Sequence, residues 1–238
     1  ERIDAARVRA VLERFGDVAR DGWACWAFSN HDVVRHATRW AADEPDREAY
    51  LKVISALLLS LRGSVCLYQG EELGLEEADL AYDDLRDPYG IRFWPQFKGR
   101  DGCRTPMVWD GGEPNGGFSS TKPWLPVPAV HLVKAVGEQR GRKGSLLEHY
   151  RRFLAFRRAN PVLVKGAIEF MDAPEGVVAF SRCNGNRRMI CAFNLDSVER
   201  TFYPEDQTLR AVSGHGFAAR HVHGVIRLAG YQAWFALC

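Results

Sequence analysis

The sequence contains no long hydrophobic run. Its longest apolar stretch, around Ile54 to Leu61, is interrupted by Ser55 and Ser60 and is far too short to span a bilayer. Residues 1–15 carry charges throughout and lack the apolar centre of a signal peptide. These absences predict no membrane anchor and no membrane partner. We therefore expect a cytoplasmic location and leave secretion open.

An excess of one charge is also missing. Lys and Arg number 32 against 30 Asp and Glu, which gives a net charge of +2, and the basic residues are scattered along the chain. A nucleic acid or an anionic membrane would be bound by a concentrated basic stripe. The sequence therefore predicts no nucleic-acid partner and suits a neutral substrate.

Metal-ligand spacing is missing as well, although the chain has six cysteines. No C-x-x-C or Cys/His spacing indicates zinc. Cys183 and Cys191 flank a turn signal at 184–186, and if its last two residues form a two-residue turn, Cys183 lies opposite Arg188 rather than Cys191. We therefore expect free thiols in a reducing compartment.

The composition is globular, with 46% hydrophobic and 26% charged residues. The first part of the chain alternates between helical and strand-like patterns, which is typical of βα units. The apolar run at 23–28 has no polar alternation and predicts a strand covered on both faces. The predicted elements are a helix at 4–15 that stops at Gly16, a strand at 23–29, a helix that has Pro45 in its first turn and buries Leu51, Ile54, Leu57, Leu58 and Leu61, and a strand at 64–68 after a stop at Gly63.

The middle of the chain has a different pattern. Residues 75–144 hold 7 of the 11 prolines and 10 of the 22 glycines and show little periodicity, as long functional loops do. Ser145 and Glu148 then form a capping box for a helix that ends before Pro161. We expect the buried side of this helix to include Leu147, Tyr150, Phe153 and Leu154.

Beyond residue 162 the apolar period becomes that of strands. Short apolar segments alternate with Gly, Asn, Asp and Pro, a pattern that indicates a small antiparallel β domain. The predicted strands are 167–171, 177–183, 189–195, 200–203, 225–228 and 233–237.

The tripeptide Asn30-His31-Asp32 follows the apolar run at 23–28. In α/β barrels, catalytic groups lie at the carboxyl ends of the strands, which are open to substrate and held rigid from below. There Asp32 would accept hydrogen bonds from hydroxyls, and the ring nitrogens of His31 would donate or accept them, which suits a polyhydroxylated ligand. The alternative is that Asp32 caps the next helix beside a histidine with its own structural partners.

Three segments occur in the order FSNHDVVRHATRW, LYQGEELGL and GRDGCRTPMVW, and together they resemble the α-glucosidase branch of the α-amylase superfamily, glycoside hydrolase family 13. The resemblance implies an α/β fold, in which residues 1–161 are the C-terminal part of a (β/α)8 TIM barrel and residues 162–238 are an antiparallel β-sandwich domain. Two βα units cannot close a barrel of eight strands. We therefore expect the chain to be the carboxyl-terminal portion of a larger enzyme, with the missing N-terminal barrel portion as its partner.

The resemblance also implies an activity. Intact enzymes of this branch remove terminal α-linked glucose from maltose, sucrose or aryl glucosides with retention of configuration, and they need no redox cofactor. Their nucleophile Asp and acid/base Glu lie on strands that precede this chain, so the chain alone is expected to be inactive. Some relatives carry a structural calcium, whose acidic loop would also lie outside this chain. We expect a small α-glucoside as substrate and neither a cofactor nor a metal site in this chain.

The resemblance assigns roles to three residues. Asp32 matches the family's third carboxylate, which binds ring hydroxyls and stabilises the positive charge that develops in the transition state. His31 matches a residue that hydrogen-bonds the same sugar. Arg100 matches the arginine that α-glucosidases use on the hydroxyl at the non-reducing end of the terminal glucose. The alternative for Arg100 is a loop-anchoring salt bridge, a role that suits Arg104 better.

Three further positions are expected to support the site. Asn30 belongs to the tripeptide, Arg35 lies one helical turn past Asp32 and would orient its carboxylate, and Glu72 would anchor a loop beneath the site. Four aromatic residues of the long loop either stack on sugar rings or pack the loop itself: Phe93, Trp94, Phe97 and Trp109.

Two other functions share these motifs. A transglucosylase or isomerase of the same superfamily differs in the access of water to the site. A non-catalytic relative, such as the ectodomain of amino-acid transporter heavy chains, resembles α-glucosidases but has lost active-site residues. The intact Asn30-His31-Asp32 favours a catalytic protein.

Overall fold

The computed structural model of the chain describes residues 3–18, 22–204 and 208–238. Contacts divide the chain into two compact units that are interleaved along the sequence. Unit 1 comprises residues 1–26, 43–66 and 149–238, and unit 2 comprises residues 27–42 and 67–148. The predicted domain boundary at 161/162 stays a prediction.

The described residues form eight α-helices and ten β-strands. The helices are α1 (Ala5–Val18), α2 (His36–Ala41), α3 (Arg47–Ser60), α4 (Pro88–Phe93), α5 (Ala129–Leu132), α6 (Val136–Gln139), α7 (Leu146–Ala159) and α8 (Pro161–Lys165). The strands are β1 (Cys25–Trp26), β2 (Ser64–Val65), β3 (Ala167–Phe170), β4 (Val177–Asn184), β5 (Arg187–Asn194), β6 (Arg200–Phe202), β7 (Arg210–Ala211), β8 (Arg220–Val222), β9 (Val225–Leu228) and β10 (Ala233–Leu237). Within the described ranges, no helix combines the length and the apolar character that crossing a membrane requires.

In unit 1, β1 and β2 pair in parallel, with Cys25 opposite Ser64 and Trp26 opposite Val65. Both strands are shorter than predicted, and Cys25 is exposed while Trp26 is half-buried. The prediction of a strand covered on both faces is therefore wrong for β1. An apolar run indicates only that a strand tolerates burial, because the elements that pack against the strand decide whether its faces are covered. Among the described residues, β1 pairs with β2 in a two-stranded sheet.

Helix α1 runs through Gly16 to Val18, so the predicted stop at Gly16 is wrong. A glycine inside a helix costs about 1 kcal/mol relative to alanine but leaves the hydrogen-bond ladder intact. Helix α3 begins after Asp46, whose side chain accepts a 3.0 Å hydrogen bond from Ala49 N, so Pro45 precedes the cap instead of standing in the first turn. The positions that α3 and its end were predicted to bury are all buried: Leu51, Ile54, Leu57, Leu58 and Leu61.

The long stretch that was predicted as a loop contains the short helices α4, α5 and α6. Two small apolar clusters organise it: one consists of Leu73, Leu75, Val108, Ala135 and Val136, and the other of Ala78, Leu80, Leu85 and Leu125 with the half-buried Trp94. Its helices have four to six residues each. Helices this short show no hydrophobic period in the sequence, because the period becomes visible only over about three turns.

Helix α7 ends directly before Asn160 and Pro161, as predicted. Half of the predicted capping box forms, since Ser145 Oγ accepts a 3.3 Å hydrogen bond from Glu148 N. The other half is replaced, because Glu148 Oε1 accepts from Gly141 N at 2.9 Å.

The buried side of α7 was only partly predicted. Tyr150 and Phe153 are buried, whereas Leu154 is exposed and Phe156 is buried in its place. The rings of Phe153 and Phe156 lie 5.6 and 5.3 Å from that of Phe235 on β10. The strands of unit 1 therefore set which side of this helix is covered.

The strands after residue 166 form two antiparallel sheets. One has the order β3-β4-β5-β10-β7 and the other the order β6-β9-β8. Strands β9 and β10 have the predicted bounds, while β7 and β8 were missed because their residues are exposed and show no apolar alternation. Residues of both sheets share one core: Val177, Ala179, Ile190, Ala192, Phe202, Ile226, Leu228, Trp234 and Ala236.

The hairpin between β4 and β5 has the predicted register. Cys183 lies opposite Arg188, which confirms the two-residue turn at Gly185 and Asn186, and Gly185 has a φ of +58° that glycine adopts without strain. All six cysteines are free thiols.

The half-buried Arg157 and the buried Arg182 bind main-chain carbonyls in unit 1. The guanidiniums of Arg157 and Arg182 both donate to Leu163 O on α8 at 2.9 Å, and they also donate to Leu59 O and Ser60 O, respectively. The last carbonyls of α3 have no partners within the helix, so these donors complete its end. Burial lowers the pKa of Arg182 to about 10, which leaves it charged at neutral pH.

Candidate active site

Asn30, His31 and Asp32 lie in a turn of unit 2. Asn30 Oδ1 accepts a 2.8 Å hydrogen bond from Asp32 N, which fixes the turn locally. His31 Nε2 lies 3.4 Å from Asp32 Oδ2, and the two side chains are 70% and 50% exposed. An imidazole and a carboxylate are therefore held side by side and remain open to a ligand.

Asp32 is not a helix cap. Helix α2 begins at His36, and its N-cap position is occupied by Arg35. The backbone N–H of His36 donates instead to Ser29 Oγ at 2.9 Å. The alternative in which Asp32 caps the next helix is therefore wrong.

Two arginines from the segment after Gly99 bind the carboxylate of Asp32. Arg100 Nη1 and Arg104 Nη2 each donate to Asp32 Oδ1 at 3.0 Å, and Arg104 Nε donates to His31 O at 2.7 Å. Desolvation raises the pKa of Asp32, but the hydrogen bond from Arg100 and the neighbouring charges outweigh it and hold that pKa below its usual value. Asp32 is therefore a carboxylate at neutral pH.

Arg100 has a second carboxylate partner, Asp87, which the sequence analysis missed. Asp87 Oδ2 accepts from Arg100 Nε and from Arg100 N, both at 2.8 Å, and Asp87 Oδ1 accepts from Arg100 Nη2 at 3.1 Å. The hydrogen bond from Arg100 lowers the pKa of Asp87 to about 2. The available signal was Asp87-Pro88, an N-cap residue followed by proline at the first position of α4.

Arg35 is buried and binds main-chain carbonyls. Its guanidinium donates to Gln69 O at 2.7 Å and to Cys103 O at 2.8 Å, and it lies over the ring of Tyr68. The prediction that it orients Asp32 is wrong, because that spacing requires one helix and α2 begins only after Arg35. Arg35 instead ties together the two segments that bear Gln69 and Cys103.

Glu72 forms a local contact in its own loop. Its Oε2 accepts a 2.8 Å hydrogen bond from Gly70 N. Desolvation raises the pKa of this half-buried carboxyl above its usual value. Gly70 has a φ of +88°, and a Cβ at this position would lie 2.9 Å from Arg35 Nη1, so the turn requires glycine.

The four aromatic residues of the long stretch fall into two groups. Trp94 is half-buried, and its ring lies 5.6 Å from that of Tyr82 and 5.2 Å from Lys98 Nζ, so it packs the loop. The other three expose about half of their surface: Phe93, Phe97 and Trp109. Among the described residues, no group of three or more His, Cys, Asp or Glu side chains is arranged to hold a metal ion.

Comparison with known proteins supports the family resemblance that the three sequence segments indicated. The model of the family described as "Alpha amylase, catalytic domain" matches residues 3–166. A probable alpha-glucosidase of Rhizobium meliloti (strain 1021) is 52% identical over 236 residues, which cover 99% of this chain and 43% of that protein. A glucan 1,6-alpha-glucosidase of Streptococcus pneumoniae serotype 4 is 30% identical over 251 residues, with coverages of 98% and 46%.

Solved structures agree with the fold. The crystal structure of an alpha-glucosyl transfer enzyme superposes with a TM-score of 0.92 at 44% identity, over 99% of this chain and 44% of that one. A trehalulose synthase at 23% identity has a TM-score of 0.83 and shares the fold. The chain spans less than half the length of each of these proteins. It belongs to the α-amylase family, glycoside hydrolase family 13, and within it to the α-glucosidase-related sequences.

Proposed function

We propose that this chain is the carboxyl-terminal portion of a retaining, exo-acting α-glucosidase that removes terminal α-linked glucose from small α-glucosides such as maltose or sucrose. The observation that carries the proposal is the exposed, ionised Asp32, with His31 beside it and Arg100 on one of its oxygens. Residues 1–161 would end a (β/α)8 barrel, a reading supported by the parallel pair β1–β2. Residues 162–238 would form a β-sandwich, a reading supported by the core that the two sheets share.

Asp32 would stabilise the positive charge that develops in the transition state. Glycoside hydrolysis passes through an oxocarbenium-like state, in which the sugar ring becomes positive. A carboxylate has about four acceptor sites, and the two arginines use Oδ1, which leaves acceptor capacity for ring hydroxyls. The attraction between Asp32 and the ring grows as the ring becomes charged, which is the condition for accelerating the reaction.

The attacking and protonating groups would come from the barrel portion that precedes this chain. A retaining enzyme needs a nucleophile and an acid about 5 Å apart across the scissile bond. Asp32 and His31 would instead bind the ring, and Arg100 would bind the hydroxyl at its non-reducing end. A site that requires that terminal hydroxyl accepts chain ends and rejects internal sugars, which gives exo action.

Transfer of glucose to an acceptor sugar is the second candidate. The observation that favours it is the 44% identity to an alpha-glucosyl transfer enzyme. Hydrolysis and transfer share the glycosyl-enzyme intermediate and differ in whether water or a sugar hydroxyl resolves it. The residues of the site described above would serve both reactions.

The complete enzyme tests the proposal. Incubated with p-nitrophenyl α-glucoside, maltose and sucrose, it should release glucose whose first-formed anomer is α, as followed by proton NMR. The ratio of free glucose to newly formed oligosaccharides distinguishes hydrolysis from transfer. First-formed β-glucose, or no turnover of any of the three α-glucosides, would overturn the proposed function.

Replacing Arg100 with alanine in the complete enzyme should lower kcat/KM for a glucoside by about 10- to 100-fold, because a charged hydrogen bond to the terminal hydroxyl is lost. The loss for the 4-deoxy glucoside should be much smaller, since that sugar lacks the hydroxyl. Steady-state kinetics on the two substrates measure the difference.

Arg92→Ala is the matched control, because the Arg92 guanidinium is exposed and lies over the ring of Phe93. This variant should leave kcat/KM unchanged for both sugars. An equal loss on both sugars for Arg100→Ala would mean that Arg100 only anchors its loop through Asp87.

A further inference from the structure

Arg100 lies between an exposed carboxylate and a buried one. Its Nη1 faces Asp32, whereas its Nε and Nη2 face Asp87, whose side chain is 0% exposed. Two parallel hydrogen bonds hold the plane of the guanidinium, which a single bond would leave free to rotate. The direction in which Nη1 points is therefore set from the Asp87 side.

Two carboxylates join the segment that carries Asp87 to the segment that carries Arg100. Each carboxylate accepts hydrogen bonds from the backbone of the opposite segment. Asp87 Oδ2 accepts from the backbone N–H of Arg100 at 2.8 Å. In return, the buried Asp101 accepts from the backbone N–H groups of Arg86 and Asp87 at 2.6 and 2.7 Å. Asp87 is thus held through both its backbone and its side chain, so the carboxylate that orients Arg100 is itself fixed in position by hydrogen bonds.

Gly99 allows this close approach. It has a φ of +76°, and a Cβ at this position would lie 2.9 Å from Asp87 Oδ2. Any other residue would face both backbone strain and a collision with the carboxylate. The chain therefore brings the backbone against Asp87 immediately before Arg100.

The charges along this row alternate. Asp87 and Asp32 are anions, and Arg100 and Arg104 are cations, with each neighbour at hydrogen-bond distance. Without Asp87, Asp32 would face the charges of both guanidiniums, and these would offset the negative charge that the transition state needs. The buried carboxylate of Asp87 compensates the positive charge of Arg100.

We propose that Asp87 is a positioning residue that acts on the sugar through Arg100. It fixes the plane of the guanidinium, so that Nη1 is directed at Asp32 and the terminal hydroxyl. It also balances the charge of Arg100, so that the negative charge of Asp32 remains available to the transition state. This inference rests on the proposed function of the site. The competing role is purely structural, because Asp87 also accepts from Tyr89 N at 3.2 Å at the start of α4.

A double-mutant cycle in the complete enzyme separates the two roles. Asp87→Asn preserves the shape and one acceptor oxygen for Tyr89 N, but it removes the charge and turns an amide group toward Arg100. Alone, it should lower kcat/KM for a glucoside about 10- to 100-fold and lower it much less for the 4-deoxy sugar. In the Arg100→Ala background, the same substitution should cost less than about 3-fold.

Asp79→Asn is the matched control, since Asp79 is an exposed acid of the same unit that pairs with Lys98. It should leave kcat/KM unchanged on both sugars. If Asp87→Asn instead reduces activity equally on both sugars and by the same factor in both backgrounds, with a lower Tm, Asp87 is a structural cap and the inference is overturned.

A measurement that does not need activity keeps the inference separate from the proposed function. In the complete enzyme, the Arg100 Nε–H proton should exchange slowly with solvent, because it donates to a buried carboxylate. Asp87→Asn should abolish that protection, whereas Asp32→Asn should keep it. Fast exchange in the unsubstituted enzyme would overturn the positioning role even if that enzyme hydrolyses glucosides. An enzyme inactive on every α-glucoside would refute the proposed function instead.

Discussion

Asp32→Asn in the complete enzyme is expected to lower kcat by a factor on the order of 10² to 10³, with the fold unchanged. Asparagine has the shape of aspartate but no charge, so it cannot oppose the positive ring of the transition state. Removing one preorganised electrostatic group from an active site has effects of this size. Because the group acts mainly in the transition state, kcat should fall far more than KM changes.

The fold should survive this substitution for a structural reason. Asp32 is half-exposed and caps no helix, and its partner Arg100 keeps the bidentate contact with Asp87. Thermal unfolding and steady-state kinetics of the same preparation check both parts. Asp83→Asn, at an exposed acid of unit 2, is the control and should change neither. A near-normal kcat together with a lower Tm would make Asp32 a structural residue and refute its catalytic role.

The 238-residue chain by itself is expected to have no glucosidase activity. The attacking carboxylate and the acid are proposed to lie outside it, and these two groups are responsible for most of an acceleration that typically exceeds about 10⁶. Purified chain should therefore give no release of p-nitrophenol above the buffer rate, while the complete enzyme assayed beside it turns over.

The Asp32→Asn form of the chain is the internal control for this assay. Any trace of host glucosidase would give the same signal in both preparations. Turnover that accompanies the chain through purification and disappears with Asp32→Asn would mean that the chain contains a complete catalytic set, and the assignment of roles would have to be withdrawn.

The sequence was sufficient where the relevant residues are neighbours or repeat with a period. His31 and Asp32 are adjacent, so their pairing follows from the chain itself. The hairpin opposite Cys183 and the bounds of β9 and β10 follow from apolar alternation and turn residues. Each of these features is determined within about ten residues.

Features that depend on distant segments could not be predicted. Asp87 binds Arg100, which lies 13 positions later in a stretch without a visible apolar period, and nothing in either local pattern indicates the other. Arg35 looked like a partner of Asp32 by spacing, but its binding sites, Gln69 and Cys103, are 34 and 68 residues away. The lengths of β1 and β2 likewise depend on which strands lie beside them, which an apolar run does not state.

The hydrogen bonds from Arg157 and Arg182 to main-chain carbonyls have a consequence for the order in which unit 1 folds during synthesis on the ribosome. The acceptors at the end of α3 are synthesised 98 and 122 residues before these donors. Because the ribosome adds about 5 to 20 residues per second, these donors are synthesised roughly 5 to 25 seconds after the end of the helix. Unit 1 therefore cannot complete its structure from the amino terminus onward, and a nascent chain arrested before residue 157 leaves α3 with its final carbonyls unmatched by these two side chains.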